Sequence, residues 1–312
     1  MKIVFLDSET VPKNIPVPAW VEQWENLTLA PGDSAVEALN EADIAITNKV
    51  KITRQDLEKL PQLKFVCVAA SGYDCVDIEA CRDHEVAVSN SPDYSTNSVA
   101  ESVISAIYAL RRQLIPYSEA SYDRWSKSSF FCMHIAPILD VTGATIGIVG
   151  KGDIGKRVGQ LAAAVGMKVI FAERKGAGTV RSGYTSFEDT LRESDILSLH
   201  CPAAPGSINL IGARELSLMK EGACLINTAR GTLVDAEAVL ASLNEGRLGG
   251  AALDVLESEP PSEEHPLLCN RHPRLIITPH VAWASTSSID SLIGRVLENL
   301  DGFYRSEPVN LV

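Results

Sequence analysis

Three side chains with complementary chemistry each follow a predicted strand of this 312-residue chain. They are Arg230, Glu259 and His280, and ligands of parallel α/β sheets bind outside the carboxyl ends of the strands. An arginine can hold a carboxylate or a ketone oxygen through two parallel hydrogen bonds. A neighbouring glutamate favours the protonated form of a histidine, which can then donate a proton to a developing alkoxide. The set predicts a site that reduces a keto group with His280 as the proton donor.

A glycine-rich turn indicates the cofactor of such a reduction. Gly150, Gly152 and Gly155 form the pattern G-x-G-x-x-G directly after a predicted strand over residues 145–149. The first glycine permits a tight turn, the second lets a pyrophosphate approach the backbone, and the third lets the next helix pack against the strand. The amino terminus of that helix can hold the anion through its amides and its dipole. We therefore expect a nicotinamide dinucleotide and hydride transfer to the substrate.

Glu173 indicates which dinucleotide is preferred. It follows the next predicted strand, residues 168–172, at the separation of about 20 residues from the turn that is typical of this motif. A carboxylate there accepts hydrogen bonds from the adenine ribose hydroxyls and repels a 2′-phosphate, which favours NAD(H). Arg174 and Lys175 follow directly, and because either can reach a 2′-phosphate, NADP remains an alternative.

The elements that must position these residues are short apolar strands alternating with helical patterns. Several strands are apolar on both faces, which is typical of parallel strands covered by helices on each side. Alternating strands and helices form right-handed βαβ units, so the predicted fold class is α/β with doubly wound parallel sheets. The predicted strands are residues 2–7, 43–47, 63–69, 86–89, 145–149, 168–172, 195–199, 223–227, 250–253 and 275–278.

Two long amphipathic helices indicate how the domains are connected. Apolar residues recur at helical spacing over residues 97–117 and again over residues 288–304. A domain placed between these helices leaves both termini in the other domain. We therefore predict a Rossmann NAD-binding domain over residues 98–284, inserted into a flavodoxin-like substrate domain of residues 1–97 and 285–312.

The first helix leads into a linker. Asn97 or Ser98 is a candidate cap of its amino terminus, and Pro116 lies near its predicted end. Residues 126–142 are predicted to form a connecting loop. Within this loop, the apolar segment 130–134 is expected to pack against the linker, with a position at a substrate entrance as the alternative.

Composition excludes several classes of function. The net charge of −12 argues against a surface that binds nucleic acid or anionic membranes, although it leaves room for a small anion in a local pocket. No segment has the roughly 18 apolar residues of a membrane span, and none resembles a signal peptide. The seven cysteines lack metal-ligand spacing and are expected to be reduced thiols of a cytoplasmic protein without a metal site.

Four segments together resemble the D-isomer-specific 2-hydroxyacid dehydrogenases, over nearly the whole chain. They are residues 147–155, 218–231, 251–260 and 278–280. The resemblance implies a substrate-orienting role for Arg230, a role for Glu259 as the partner of the histidine, and acid/base catalysis by His280. It implies dinucleotide contacts from Gly150, Gly152, Asp153, Ile154, Gly155, Glu173, Cys201, Thr228, Ala229, Arg230, Asp254 and His280. It implies that Ala70, Ser71 and Gly72, together with Arg230 and His280, bind the substrate.

Within the family, three segments are most similar to the bacterial glycerate dehydrogenases, which act as hydroxypyruvate reductases. They are residues 68–72, 109–114 and 279–284. This implies NADH, a small 2-keto or 2-hydroxy acid, a cytoplasmic homodimer, and no nucleic-acid or membrane partner. The alternatives are a reductase of glyoxylate or another 2-keto acid, with NADPH as a second candidate cofactor, and a non-catalytic NAD-sensing protein like the transcriptional corepressors of this fold. A formate dehydrogenase is disfavoured because that branch pairs its histidine with glutamine where this chain has Glu259.

Overall fold

The chain divides into two compact units in the computed structural model, which describes residues 1–204 and 206–312. Met1–Ser95 and Ala284–Val312 form the first unit, and Thr96–Trp283 form the second. The second unit is therefore an insertion in the sequence of the first. The boundaries predicted from the sequence lie within two residues of these. None of the described helices combines the length and apolar character that a membrane crossing requires.

The strands and helices alternate along most of the chain. In order, the strands are β1 (Lys2–Phe5), β2 (Gln23–Asn26), β3 (Ile44–Thr47), β4 (Phe65–Val68), β5 (Ala87–Ser89), β6 (Thr145–Val149), β7 (Lys168–Ala172), β8 (Ile196–Leu199), β9 (Ala223–Asn227), β10 (Leu248–Leu253) and β11 (Leu275–Ile277). The α-helices are α1 (Val36–Leu39), α2 (Arg54–Leu57), α3 (Ile78–Asp83), α4 (Thr96–Arg111), α5 (Leu114–Arg124), α6 (Asp153–Ala164), α7 (Phe187–Glu193), α8 (Ala213–Leu218), α9 (Ala236–Asn244), α10 (Pro266–Cys269) and α11 (Thr286–Tyr304).

The first unit contains a five-stranded parallel sheet in the order β2-β1-β3-β4-β5. This is the flavodoxin-like order, whose switch point lies between β1 and β3. All residues of β3 and β4 are buried, so their uninterrupted apolar sequences are explained by helices or loops on both faces. The predicted flavodoxin-like α/β fold is confirmed.

The second unit contains a six-stranded parallel sheet in the order β11-β10-β9-β8-β6-β7. The chain passes from β6 outward to β7 and returns to β8 on the other side of β6. The switch point is therefore at the carboxyl end of β6, where the glycine-rich turn begins. The doubly wound fold is confirmed, although only one strand lies beyond β6, where the six-stranded Rossmann order has two.

Strand β2 was missed by the sequence reasoning. Its sequence, Gln-Trp-Glu-Asn, is polar, and it forms one edge of the first sheet beside β1. Three of its four residues are exposed. An edge strand that is held by backbone pairing and buries little apolar surface leaves no hydrophobic period to detect.

The single helix predicted over residues 97–117 is two helices. Gln113 has a left-handed φ of 54° and separates α4 from α5, and Pro116 lies in the first turn of α5, where a missing amide costs little. The predicted cap residues are also wrong, because α4 begins at Thr96. Ser98 lies inside this helix, and its hydroxyl donates to the Ala282 carbonyl at 2.7 Å.

The expectation that the apolar segment 130–134 packs against the linker after α5 is also wrong. Phe130 and Phe131 were predicted to pack against it, but their exposed fractions are 77% and 91%. Hydrogen bonds connect the linker to α5. For example, the Ala136 carbonyl accepts from the Tyr117 hydroxyl at 2.9 Å. The two phenylalanines therefore present apolar surface to solvent within the second unit.

Candidate active site

The glycine-rich turn lies at the carboxyl end of β6, as predicted. Gly150 has a φ of +104°, and a side chain there would place its Cβ 2.5 Å from the His200 carbonyl oxygen. A Cβ on Gly155 would lie 2.1 Å from the Gly150 carbonyl oxygen. The first and third glycines are therefore required by the packing of the turn itself.

Gly152 differs from the other two glycines of the turn. It is the N-cap of α6, its φ and ψ of −74° and −170° are accessible to any residue, and a Cβ there would have no heavy atom within 4 Å. The packing of the protein does not require a glycine at this position. An open space at the amino terminus of a twelve-residue helix is suited to a phosphate group that must approach the backbone.

Thr228 supplies an independent sign that a polar ligand belongs at this sheet edge. Its Oγ1 is buried and has no hydrogen-bond partner, a condition shared among the described residues only with Ser242 Oγ and Arg247 Nε. Buried hydroxyls are rarely left unsatisfied. Thr228 follows β9, and the carboxyl end of that strand lies on the same edge as the glycine-rich turn. The open space at Gly152 and the unsatisfied Thr228 together fit a bound dinucleotide.

Glu173 lies directly after β7, as predicted, but the protein already satisfies its carboxylate. Oε1 accepts from the Arg174 amide at 2.8 Å and from Arg181 Nη2 at 2.7 Å. Oε2 accepts from the Arg181 amide at 3.2 Å and from Arg181 Nε at 2.7 Å. The hydrogen bonds from the Arg181 side chain are the main cause that lowers the pKa of Glu173 to about 2. Sequence reasoning did not find Arg181.

Lys175 is not directed toward a 2′-phosphate. Its ammonium group lies 3.0 Å from the Glu215 carboxylate, whose side chain is buried. Burial opposes ionisation of Glu215, but hydrogen bonds from Lys175, the Gly212 amide and Arg214 outweigh that effect, and the pKa of this carboxyl is lowered. Both cations considered from the sequence are exposed, and Lys175 is the one whose ammonium group is paired with Glu215.

His280 and Glu259 are brought together at the carboxyl edge of the second sheet. Nδ1 of His280 lies 2.6 Å from Oε2 of Glu259, and both side chains are partly exposed, at 28% and 34%. Oε1 of Glu259 accepts from the Leu256 amide at 3.1 Å, which orients the carboxylate. An imidazole held by a carboxylate through one nitrogen has its orientation and tautomer fixed, and the other nitrogen is available for proton transfer.

Asp254 holds the turn that carries His280. It is 5% exposed and follows β10. Its Oδ1 accepts from the Thr278 hydroxyl at 2.6 Å and the Val281 amide at 2.9 Å, and its Oδ2 accepts from the Ala282 amide at 2.9 Å. His280 itself has a left-handed φ of 53°, and its amide donates to the Asp254 carbonyl at 2.8 Å. The observed contacts therefore make Asp254 a positioning residue, and its implied dinucleotide contact stays a prediction.

Asn227 shapes the turn that carries Arg230, and it was missed by the sequence reasoning. Its buried side chain donates to the Arg230 carbonyl at 2.8 Å and accepts from the Ala229 amide at 3.0 Å. Arg230 Nη1 donates to the Ala229 carbonyl at 2.8 Å. An asparagine that ends a strand and bonds to the following backbone is a signal of such a turn.

Cys201 and His200 follow β8 at the same edge. Burial raises the pKa of the Cys201 thiol, which is neutral at physiological pH. Burial lowers the pKa of His200 to about 4, and its Nε2 lies 2.8 Å from the Ser198 hydroxyl. The His200 backbone presses against Gly150, so these two residues form one wall of the glycine-rich turn.

The segment implied to bind the substrate carboxylate lies in the first unit, after β4. Ala70 is buried, Ser71 is exposed, and the Ser71 hydroxyl donates to the Ser91 carbonyl at 2.8 Å. The Asn90 side chain donates to the Ser71 carbonyl, also at 2.8 Å. The Ala70 carbonyl accepts from the Ser91 amide, so the segment after β5 fixes the backbone of this loop.

Comparisons with known proteins give consistent results. The family model described as D-isomer specific 2-hydroxyacid dehydrogenase, NAD binding domain, matches residues 104–282. A Haemophilus influenzae protein named as a 2-hydroxyacid dehydrogenase, without a named substrate, is 44% identical over 97% of this chain and 98% of its own. The glycerate dehydrogenase of Methylorubrum extorquens is 40% identical over 100% of this chain and 98% of its own. The crystal structure of Aquifex aeolicus D-lactate dehydrogenase with NAD and lactic acid has a TM-score of 0.82 at 26% identity, and covers 98% of this chain and 96% of that one.

Proposed function

The chain belongs to the family of D-isomer specific 2-hydroxyacid dehydrogenases, and on that premise we propose that it is a glycerate dehydrogenase that reduces hydroxypyruvate with NADH. Its class, an NAD-dependent oxidoreductase, follows from the family. The observation that carries the proposed chemistry is the 2.6 Å contact between His280 and Glu259, at the same sheet edge as the glycine-rich turn. The substrate is supported by the similarity to the Methylorubrum extorquens enzyme over the whole chain.

The proposed reaction assigns a separate task to each side chain. Gly152, the first amides of α6 and Thr228 would hold the dinucleotide, and Cys201 would line its site. When bound, the nicotinamide supplies the hydride that the keto carbon accepts. Glu259 holds Nδ1 of His280, so Nε2 is the ring atom that passes a proton to the substrate oxygen.

Substrate binding would use one cation and one loop. The Arg230 guanidinium carries five N–H donors in a planar arrangement that suits a keto or carboxylate oxygen. The backbone of Ala70, Ser71 and Gly72 would receive the substrate carboxylate, because small residues let a ligand approach amides closely. In the reverse direction His280 would accept the hydroxyl proton of glycerate.

Turnover of a substrate panel tests this function. Hydroxypyruvate, glyoxylate, pyruvate, phosphohydroxypyruvate and formate would each be assayed, the keto acids with NADH and with NADPH and formate with the oxidised cofactors. We expect the highest kcat/KM for hydroxypyruvate with NADH. His280→Ala should lower kcat about 10²–10⁴-fold while NADH binding persists. The matched control His84→Ala, at an exposed site of the first unit, should leave kcat unchanged. A higher kcat/KM for another acid would contradict the proposed substrate. Wild-type turnover by His280→Ala would contradict the proposed role of His280 as the proton donor.

The alternatives predict different results in the same panel. A glyoxylate or other 2-keto acid reductase would prefer that acid, with NADPH as a second possible cofactor. A formate dehydrogenase would oxidise formate. A corepressor-like protein would bind NADH and capture a peptide partner without turning over any acid. The intact set of Arg230, Glu259 and His280 favours an enzyme over this last alternative.

The proposal includes a cytoplasmic homodimer. Phe130 and Phe131 are exposed, and two further aromatic residues precede them: Tyr122, in α5, is 87% exposed, and Trp125, directly after α5, is 53% exposed. Apolar surface of this kind is typical of a protein interface. A second copy of this chain is the occupant we propose for it. Sedimentation should give a dimer for the wild type and a monomer for Phe130→Ser/Phe131→Ser, and a monomeric wild type would contradict it.

A further inference from the structure

The carboxylate expected to bind the adenine ribose is saturated by the protein itself. An ionised carboxylate has about four acceptor positions. Those of Glu173 are taken by two backbone amides and by the paired Nε and Nη2 donors of Arg181. Ribose hydroxyls can bond to Glu173 only where an Arg181 donor gives way. The negative charge that would repel a 2′-phosphate is also neutralised at 2.7 Å by the guanidinium.

The Arg181 side chain is held in this position by its surroundings. Its guanidinium carbon lies 4.2 Å from the ring centroid of Tyr184. The same ring lies 4.7 Å from the ammonium group of Lys151, which is 4.6 Å from the Phe171 ring and donates to the Gly183 carbonyl at 3.2 Å. Lys151 lies within the glycine-rich turn. A cation–π stack thus connects the cofactor turn to the segment that carries Arg181.

Two of the three neighbouring cations pair with other acids, and Arg174, which is exposed and follows Glu173 directly, is the alternative donor. Lys175 pairs with Glu215, and Arg192 pairs with Glu188 and Asp189. Arg181 keeps 55% of its side chain exposed while it binds Glu173. Its guanidinium has five donors, and two of them are used by the carboxylate. The other three donors are not used by the Glu173 carboxylate.

We propose that Arg181 determines the cofactor preference of this chain, by neutralising Glu173 and donating to the 2′-phosphate of NADPH, so that the chain binds both NADPH and NADH. This inference rests on the proposed placement of the dinucleotide on the turn of residues 150–155. NADH binding exchanges one Arg181 hydrogen bond to Glu173 for a ribose hydroxyl. NADPH binding keeps the Glu173–Arg181 pair intact. The sequence-based argument that Glu173 favours NAD(H) over NADP treats this carboxylate as unpaired, whereas it is paired with Arg181.

The test is equilibrium titration of nicotinamide fluorescence, which does not depend on turnover. The wild type should bind NADPH with a Kd within about tenfold of that for NADH. Arg181→Ala should raise the ratio of the NADPH Kd to the NADH Kd about 10–100-fold, the effect of losing a hydrogen bond to a charged group and of leaving the Glu173 charge uncompensated. Arg181→Lys keeps the charge and should give an intermediate ratio. Glu173→Gln should shift the ratio toward NADPH.

Two controls decide between Arg181 and its neighbours. Arg192→Ala removes an exposed arginine of the same region that already pairs with two acids, and Arg174→Ala removes the adjacent exposed arginine. Both should leave the ratio within about threefold of the wild type. A wild-type ratio in both Arg181 variants, or an equal change in Arg174→Ala, overturns the proposal. A wild type that binds NADH but discriminates more than 100-fold against NADPH overturns it too, whereas binding of neither dinucleotide overturns the proposed function as well.

Discussion

Replacement of Gly152 by alanine should weaken the affinity of the protein for NADH while its stability changes little. The backbone angles at this position suit alanine, and the added Cβ meets no heavy atom within 4 Å. Alanine restricts the unfolded chain more than glycine does, which favours folding by about 0.4–1 kcal/mol. Alanine is also a poorer N-cap residue than glycine by a similar amount, so the free energy of unfolding should stay within about 1 kcal/mol of the wild type. The empty space that makes the substitution harmless to the protein alone is the space assigned to the pyrophosphate.

The expected loss of affinity follows from the hydrogen bonds at risk. A Cβ at Gly152 would hold the pyrophosphate away from the amides at the start of α6. Loss of one hydrogen bond to a charged group costs about 1.5–3 kcal/mol, which raises the Kd for NADH about 10–100-fold. The assay pairs the thermal unfolding midpoint of the unliganded protein with fluorescence titration of NADH.

Two glycine variants serve as controls for this prediction. Gly150 has a φ of +104°, and an added Cβ would lie 2.5 Å from the His200 carbonyl oxygen. Gly150→Ala should therefore lower the thermal unfolding midpoint. Gly294→Ala, in α11, also adds a Cβ to open space and should leave NADH affinity unchanged. If Gly152→Ala bound NADH as tightly as the wild type, the pyrophosphate would not lie against residue 152, and the assigned cofactor site would be refuted.

Two further predictions concern the same sheet edge. The pKa of His200 is about 4 in the folded protein and 6.5 for an unperturbed histidine, so between these values the unfolded chain binds a proton that the folded chain does not, and stability falls as the pH falls. The wild type should lose about 2 kcal/mol more than His200→Asn between pH 7 and pH 5 in urea unfolding, and equal losses would contradict the burial of a neutral imidazole. A Cβ on Gly231 would lie 1.8 Å from the Leu256 carbonyl carbon, so Gly231→Ala should displace the segment leading to Glu259 and lower stability by about 1–3 kcal/mol, together with kcat. Wild-type stability and kcat in Gly231→Ala would show that the two backbones separate at little cost.

The position of the proposed catalytic set was predictable because ligands of parallel sheets bind at the carboxyl ends of the strands. Arg230, Glu259 and His280 each follow a strand, and the apolar period that reveals a buried strand also reveals where it ends. The contact between Glu259 and His280 was predicted from their residue types and from the family resemblance. Its distance of 2.6 Å is supplied by the structure.

The residues that position this set were harder to predict. Asn227, Asp254 and Ser98 act through hydrogen bonds to backbone groups of other segments. Ser98 and Ala282, whose carbonyl it contacts, lie near opposite ends of the sequence of the second unit. Such partners depend on which loops the fold brings together, and hydrophobic periodicity carries no information about that.

The amino-acid sequence alone determined the α/β class, the parallel sheets, the glycine-rich turn and the order of the proposed catalytic residues along one sheet edge. These depend on local patterns, namely apolar periodicity, glycine spacing and polar residues at strand ends. Only the tertiary structure decided how the charged side chains pair. It gave Glu173 to Arg181 and Lys175 to Glu215, and it left Phe130 exposed. The reason is physical: a long charged side chain reaches several neighbours, and its choice depends on the three-dimensional positions of all of them.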